Sequence, residues 1–394
     1  MKESSFLPRR LRLAREARGL NASELAEAIG VSRQNVSGWE AGEYAPKPEA
    51  LRSISMKLGF PERFFFRPCP TAEEGPPFFR KLSAVTARGR NQAAAKLNLL
   101  VEFAEYLLDE VELPEPAVPN FDIGTNPGSI ADEDIEEIAA KTRGVFKIGN
   151  GPISNITRLL ENNGIIVSRF WMQTEGLDAF SRWVNGIPYI LNNSNRASGV
   201  CRTRFNLAHE LGHLVMHRSL QPGQKNLKHI EAQANRFASA FLMPAETYLK
   251  DFTYPSLDVF VALKPKWLVS AAAQIVRCRD LSIILDGVFA RLFANLNRRG
   301  WRTIEPLDND LPSENPALLE KAILLLENEA SLPRQELLNN FILSFSDVED
   351  FAGLPSNFFG SDEQEPTLVI KQRPKVVAFP GRRNQLACDC AFEK

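Results

Sequence analysis

Apolar positions recur every three or four residues over most of the chain, and polar punctuation cuts this pattern into short helices. Leu7, Leu11 and Ala14 share one helical face, and Asn21 or Ser23 can open a second helix running through Ala28. Gly30 ends that helix, and Ser32 can cap a third that runs through Glu40 to Gly42. Two helices of about eight residues around a Gly-containing turn predict a helix-turn-helix. Pro46 and Pro48 then interrupt the pattern before a further helix, Glu49 to Leu58.

Phe64 to Phe66, with Pro68, Pro70, Pro76 and Pro77, mark a boundary. An Ala- and Leu-rich helix from about Arg90 to Val111 follows, long enough for a stalk or an interface, and Pro114, Pro116 and Pro119 end it. Residues 129 to 163 read as two helices, the second closing at Asn163-Gly164. There the period changes from 3.6 to 2, so that Ile165 to Phe170, Asp178 to Val184 and Pro188 to Asn192 are expected as three short strands. Val200 to Met243 returns to helix. The rest is helical at first, with β-like runs at Leu368 to Ile370 and Val376 to Phe379. The expected fold is α+β and mostly helical, with no internal repeat. It comprises a helix-turn-helix bundle over 1–68, a linker and stalk helix over 69–118, a central domain with a small sheet over 119–250, and a helical or mixed C-terminal region over 251–394.

Composition adds little to this division: 394 residues with 44% hydrophobic and 24% charged positions suit two or three ordinary domains. The opening MKESSFLPRR has no apolar stretch behind its charges, and no run approaches the roughly 18 apolar residues of a membrane span. The expectation is a cytoplasmic protein without a membrane partner. Five scattered cysteines, an odd number, read as reduced thiols; Cys388 and Cys390 form a lone CxC without a histidine, a weak metal signal. The net charge of -1 hides a basic N-terminal piece, where residues 1–70 hold twelve Lys or Arg against eight Asp or Glu. That is the sign of a surface that meets phosphates.

Histidine usage changes the picture most. All four histidines, His209, His213, His217 and His229, fall in one short segment. In FNLAHELGHLVMHR, His209 and His213 are four positions apart, which on a helix aims two imidazoles at one point, the reach a tetrahedral zinc needs from two ligands. A catalytic zinc takes a third protein ligand and keeps one position open. Glu231, eighteen positions after His213 in EAQANRFASAFLMP, is the candidate. On a second helix it shares a face with Ala234, Asn235 and Ala238; the alanines allow close approach, and Asn235 can hydrogen-bond a ligand imidazole from behind. Glu210 projects at another angle, free to act as general base. The pattern points to amide hydrolysis in which zinc polarises the carbonyl and activates water, Glu210 takes the water proton, and no covalent intermediate forms. His217 reads as a capping or packing residue and His229 as a loop residue near the site. Tyr189 and Tyr248 are guesses for an oxyanion partner, and Pro188 to Asn192 for a strand that pairs with substrate, an ordinary interior strand being the alternative.

In ELAEAIGVSRQNVSGWEAG, Leu25, Ile29, Val31, Val36 and Trp39 can form a small core that leaves Arg33, Gln34, Asn35 and Ser37 outward. These side chains are able to read base edges, and Arg9, Arg10 and Arg12 are candidates for phosphates. The alternative is a helical protein–protein module with a solvated polar face.

Two families resemble these segments. Residues 6 to about 66 resemble the Xre-type helix-turn-helix of phage repressors through SRQNVSGWEAG, Pro46 and Leu51. Residues from about 129 to 310 resemble ImmA/IrrE metallopeptidases through GPISNITRLLENNGIIV, DAFSRWVNGIPYILN, RFNLAHELGHLVMH, EAQANRFASAFLMP, LKPKWLVSAAAQIVRCRDL and GWRTIEP. The resemblance implies a zincin-like central domain with Zn2+ as cofactor, and supports Glu231 as third ligand. It also implies a regulator that binds a double-stranded operator and cleaves a helix-turn-helix repressor or antitoxin in a stress, prophage or mobile-element response. Gln233 departs from the many relatives that carry a second acidic residue there, which removes a competing ligand. The segment after Lys264 resembles a helical pair that relatives place beside the peptidase. A palindromic operator would call for a homodimer, which the sequence leaves open. Another class of function, a transcription factor or antitoxin using the peptidase fold as a non-proteolytic scaffold, is compatible with the same residues.

Overall fold

The computed structural model describes residues 5–68, 78–79, 85–121, 130–170, 172, 177–193, 199–219 and 227–360. The runs at Leu368 to Ile370 and Val376 to Phe379, and the Cys388/Cys390 pair, lie outside them. The architecture is α+β and mostly helical.

Local capping explains the N-terminal helices. Helix α1 (Pro8–Ala17) starts with proline in its first turn, and α2 (Ala22–Ile29) starts from a capping box in which Asn21 and Glu24 each accept from the other's backbone. Gly30, at φ 72, ends α2; the Ser32 side chain caps α3 (Arg33–Ala41), and Gly42, at φ 77, ends it. Leu11, Ala14, Leu25, Val36 and Trp39 close against Leu51, Ile54 and Leu58 of α4 (Pro48–Leu58). Arg15 fastens α1 to α3 through Glu40 at 2.6 Å.

Helix α5 (Ala87–Glu110), expected as a stalk or an interface, is an interface: Leu99, Leu100, Phe103, Ala104 and Leu107 are fully buried against the helix-turn-helix and the C-terminal helices. Helices α6 (Asp132–Val145) and α7 (Ile156–Asn162) lead to the sheet. Its strands β1 (Phe78–Phe79), β2 (Ile166–Phe170), β3 (Ala179–Val184) and β4 (Ile187–Asn193) lie in the order β1-β3-β4-β2. β3 and β4 form an antiparallel hairpin around Asn185-Gly186, at φ 49 and 80, the positive values that a two-residue hairpin turn requires. β2 runs parallel to β4, with Ile166 opposite Tyr189.

Side-chain alternation makes this sheet the seam between two cores. Ile166, Phe170, Phe180, Val184, Tyr189 and Leu191 face the core that holds the helix-turn-helix and α5. Val167 and Ile190 face the other, built from α6, α7, α8 (Val200–Met216), α9 (Leu227–Leu242) and α10 (Ala245–Asp251), and from α11 (Leu257–Trp267), α12 (Ala271–Asp280) and α13 (Asp286–Arg298). The chain then crosses back, and α14 (Leu318–Asn328), α15 (Arg334–Phe341) and α16 (Phe345–Ala352) complete the first core. The described residues beyond 251 therefore divide between the two cores. Among the described residues no single helix is long and apolar enough to cross a membrane.

Candidate metal centre

Helix α8 is buried on almost every side, between the sheet and α9, because apolar residues flank its motif in both directions. Trp183 of β3 donates its indole N–H to the Leu214 carbonyl at 3.1 Å and fastens strand to helix. On the other side Gly212 permits the contact with α9: a Cβ there would stand 3.0 Å from Phe237 Cδ1. Ala234 and Ala238 are fully buried along the same contact.

This approach brings His209, His213 and Glu231 together. The two Nε2 atoms are 3.0 Å apart, and the Glu231 carboxylate oxygens lie 3.6 Å from that of His209 and 3.5 Å from that of His213. One donor atom from each residue lies within 4.8 Å of the other two. The opposite ring nitrogens are engaged elsewhere: His209 Nδ1 is 2.9 Å from Asn235 Oδ1, and His213 Nδ1 is 2.9 Å from His217 Nδ1. With His209 Nδ1 donating to Asn235, its Nε2 presents a lone pair to the second imidazole and to a carboxylate. Such a convergence of electron-rich atoms fits a cation, and two nitrogens with one oxygen suit zinc.

Glu210 is 1% exposed and points toward the sheet, where Ser181 Oγ donates to its Oε2 at 2.7 Å. The sequence singled out Glu210 but not Ser181. The available signal was a serine at a sheet position whose strand neighbour Trp183 packs against α8. His217 stands at the C-cap of α8, as a capping or packing histidine would, but is wholly buried, and its Nε2 lies 3.2 Å from Gln233 Oε1. Burial, reinforced by His213, pushes its pKa down to about 3. His229 is exposed in the first turn of α9 and takes no part in the cluster.

Residues 161–279, which hold all of these groups, match the family model of the IrrE N-terminal-like domain, peptidase family M78. Residues 11–65 match that of the helix-turn-helix. The chain thus joins an Xre-type helix-turn-helix segment to an ImmA/IrrE-like segment. No curated protein matches it. The pairing supports a DNA-binding regulator with a peptidase-like domain.

Within the ImmA/IrrE-like segment one open choice is decided and one guess is corrected. Pro188 to Asn192 is an interior strand, paired with β3 on one side and β2 on the other, so its main chain has no free edge for a peptide. The outer edge of β3 is itself paired with Phe78–Phe79, Phe78 standing opposite Ser181. Neither tyrosine faces the metal cluster as an oxyanion partner. Tyr189 lies on the opposite face of the sheet from α8, and Tyr248 bonds Gln274 Oε1 at 3.1 Å. Burial raises the pKa of both phenols.

On the helix-turn-helix, Arg33, Gln34 and Ser37 of α3 are exposed, while Asn35 is half-buried and accepts from Tyr44 Oη at 3.3 Å. Arg9 is exposed, and Arg12 is exposed and paired with Glu16 at 2.9 Å. Arg10 is not available to phosphates. It is fully buried, paired with Glu102 of α5 at 2.6 Å, bonded to the Arg67 and Pro68 carbonyls, and stacked 4.7 Å over Phe64.

Proposed function

We propose that this regulator is a zinc-dependent endopeptidase that binds an operator through α3 and cuts a helix-turn-helix repressor or antitoxin protein in the cytoplasm. The observation that carries the reading is the convergence of His209, His213 and Glu231 beside a buried glutamate held by Ser181. Zinc held by those three residues would polarise the scissile carbonyl and make water acidic enough to attack near neutral pH. Glu210 then takes the proton of the attacking water and delivers it to the leaving amine, while Ser181 keeps the carboxylate in register. Asn235 and His217 hold the two imidazoles from behind. Arg33, Gln34, Asn35 and Ser37 are the base-reading candidates, and a two-fold operator would be met by a homodimer.

Cleavage in cis has an observation of its own: the sheet edge beside Ser181 and Glu210 is occupied by this chain's own Phe78–Phe79, so an added substrate strand has to displace it. The test is to incubate the purified protein with zinc and the regulator encoded beside it, and to follow the masses of both chains. Wild type is expected to cleave and Glu210→Gln to leave both intact. Equal cleavage by the two, or none by wild type, removes the enzyme. A changed operator affinity in His209→Ala with no cleavage anywhere would instead support a non-proteolytic transcription factor.

A further inference from the structure

Around the cluster, the two imidazoles are held differently. His209 Nδ1 rests on Asn235, which also lines a cavity of about 590 Å³ with Phe205, Arg202 and Ala273. His213 rests on a chain of two: His217, fully buried, and Gln233, 7% exposed.

A neutral imidazole has one donor nitrogen and one acceptor nitrogen. The 2.9 Å contact between His213 Nδ1 and His217 Nδ1 is a hydrogen bond only when one of the two carries the proton. If His213 carries it, its Nε2 presents a lone pair toward Glu231 and His209. If His217 carries it, the His213 proton must sit on Nε2, 3.0 Å from His209 Nε2, where it blocks a cation. The third member decides between these arrangements. The oxygen of Gln233 lies 3.2 Å from His217 Nε2, and an amide oxygen accepts only. It therefore holds the His217 proton on Nε2, leaves His217 Nδ1 as an acceptor, and so holds the His213 proton on Nδ1.

We propose that His217 and Gln233 are positioning residues, forming a hydrogen-bond relay that keeps His213 in the tautomer able to ligate a divalent cation. The proposal rests on the reading of His213 as a metal ligand. It gives Gln233 a task that a carboxylate in the same place would perform with a charge, and Gln233 performs it without placing another anion beside Glu231.

The test uses the full chain, zinc affinity by chelator competition, and the visible spectrum of the cobalt(II) form. Gln233→Met keeps the length of the side chain and removes the acceptor. His217→Phe keeps a ring and removes both nitrogens. His217→Gln changes the shape but restores an oxygen for His213 and an N–H for Gln233. The relay predicts that Gln233→Met and His217→Phe each weaken zinc binding by about 10- to 100-fold and alter the cobalt spectrum, the double variant being no worse than His217→Phe alone. It also predicts that His217→Gln binds more tightly than His217→Phe. A packing role predicts the reverse order, because phenylalanine fills the histidine's place better than glutamine. Unchanged affinity and spectra in both Gln233→Met and His217→Phe, or Phe outperforming Gln at 217, overturns the relay while leaving the metal centre standing. Failure of wild type to bind zinc overturns the metal centre and the relay with it.

Discussion

Two buried polar assemblies, one behind the metal cluster and one beneath the helix-turn-helix, differ in how far along the chain their members are drawn. Behind the cluster the contacts run from His213 to His217 to Gln233, all within one helix pair and 21 positions of sequence. On the far side of the sheet, beneath the helix-turn-helix, the assembly is ionic. Asp347, 1% exposed in the first turn of α16, binds Arg18 of the helix-turn-helix at 2.8 Å and Lys96 of α5, and accepts from Ser344 Oγ at 2.6 Å. Hydrogen-bonded groups in fixed orientation suit a site that presents lone pairs to an ion. Charges drawn from positions 18, 96 and 347 suit a joint, since none can be buried until the other two arrive. The difference separates chemistry from assembly: what prepares the metal ligands is local, and what docks the helix-turn-helix is long-range.

Breaking the joint should give the largest effect. Asp347→Ala leaves Lys96 and Arg18 without their buried counter-ion and is expected to cost about 3–5 kcal/mol in denaturant unfolding. Zinc affinity of the folded fraction should stay unchanged; if it falls in parallel, the two faces are one unit and the comparison fails. The acid limb reports the same joint. Burial alone would raise the Asp347 pKa, but Lys96 and Arg18 hold it well below the ordinary carboxylate range. A depressed carboxylate contributes stability in full above its unfolded pKa, and that contribution is lost as pH falls through the folded value. Wild type should therefore lose stability below about pH 4, and Asp347→Asn should show a flatter acid limb.

The same contrast explains what could be read in advance. The helix-turn-helix announced itself through Asn21, Gly30, Ser32 and Gly42, whose capping roles depend on neighbours a few residues away. The convergence of His209 and His213 was legible because helical spacing alone puts them on one face, whereas the meeting with Asn235 and Glu231 depends on how α9 packs against α8. Arg10 was misread because composition grouped it with Arg9 and Arg12. Its position, three residues after Leu7 and four before Ala14, puts it on the apolar face, and its acceptor Glu102 is 92 positions away. The strand from Pro188 stayed open between substrate pairing and the sheet interior because alternation reveals a strand without its neighbours. That the earlier strand β2 would lie parallel beside it, Ile166 opposite Tyr189, is a long-range pairing that no period encodes. Tyr189 fails as an oxyanion group by that alternation: it adjoins Ile190, so the two face opposite cores.

A smaller effect is expected at the operator. The helix-turn-helix is anchored through α1, α4 and α5, so α3 presents Gln34 outward and Asn35 half-buried whatever happens on the far face of the sheet. Replacing both with alanine should relax base preference by about 1–3 kcal/mol per contact, read as competition between cognate and altered operators. Removing zinc with a chelator should leave the footprint as it was. A footprint kept by the double variant rejects these as reading residues, and one lost with the metal joins the two faces that the comparison separates.

The finest test lies on β3 itself, where adjacent residues serve different faces. Phe180 enters the core shared with the helix-turn-helix, and Ser181 turns the other way to hold the Glu210 carboxylate at 2.7 Å. Ser181→Ala removes a hydrogen bond to a charged acceptor, worth about 1.5 kcal/mol at the lower end, which corresponds to roughly tenfold in rate. Because the serine touches the base and none of the three proposed metal-holding side chains, the loss should appear in kcat, with KM and zinc affinity unchanged. A fall in zinc affinity would mean that Ser181 supports α8 as a whole, and its contact with Glu210 would then be packing rather than orientation of a base. An unchanged kcat would mean that the carboxylate keeps its place without the serine, and that β3 contributes to the site only the edge it offers to Phe78–Phe79.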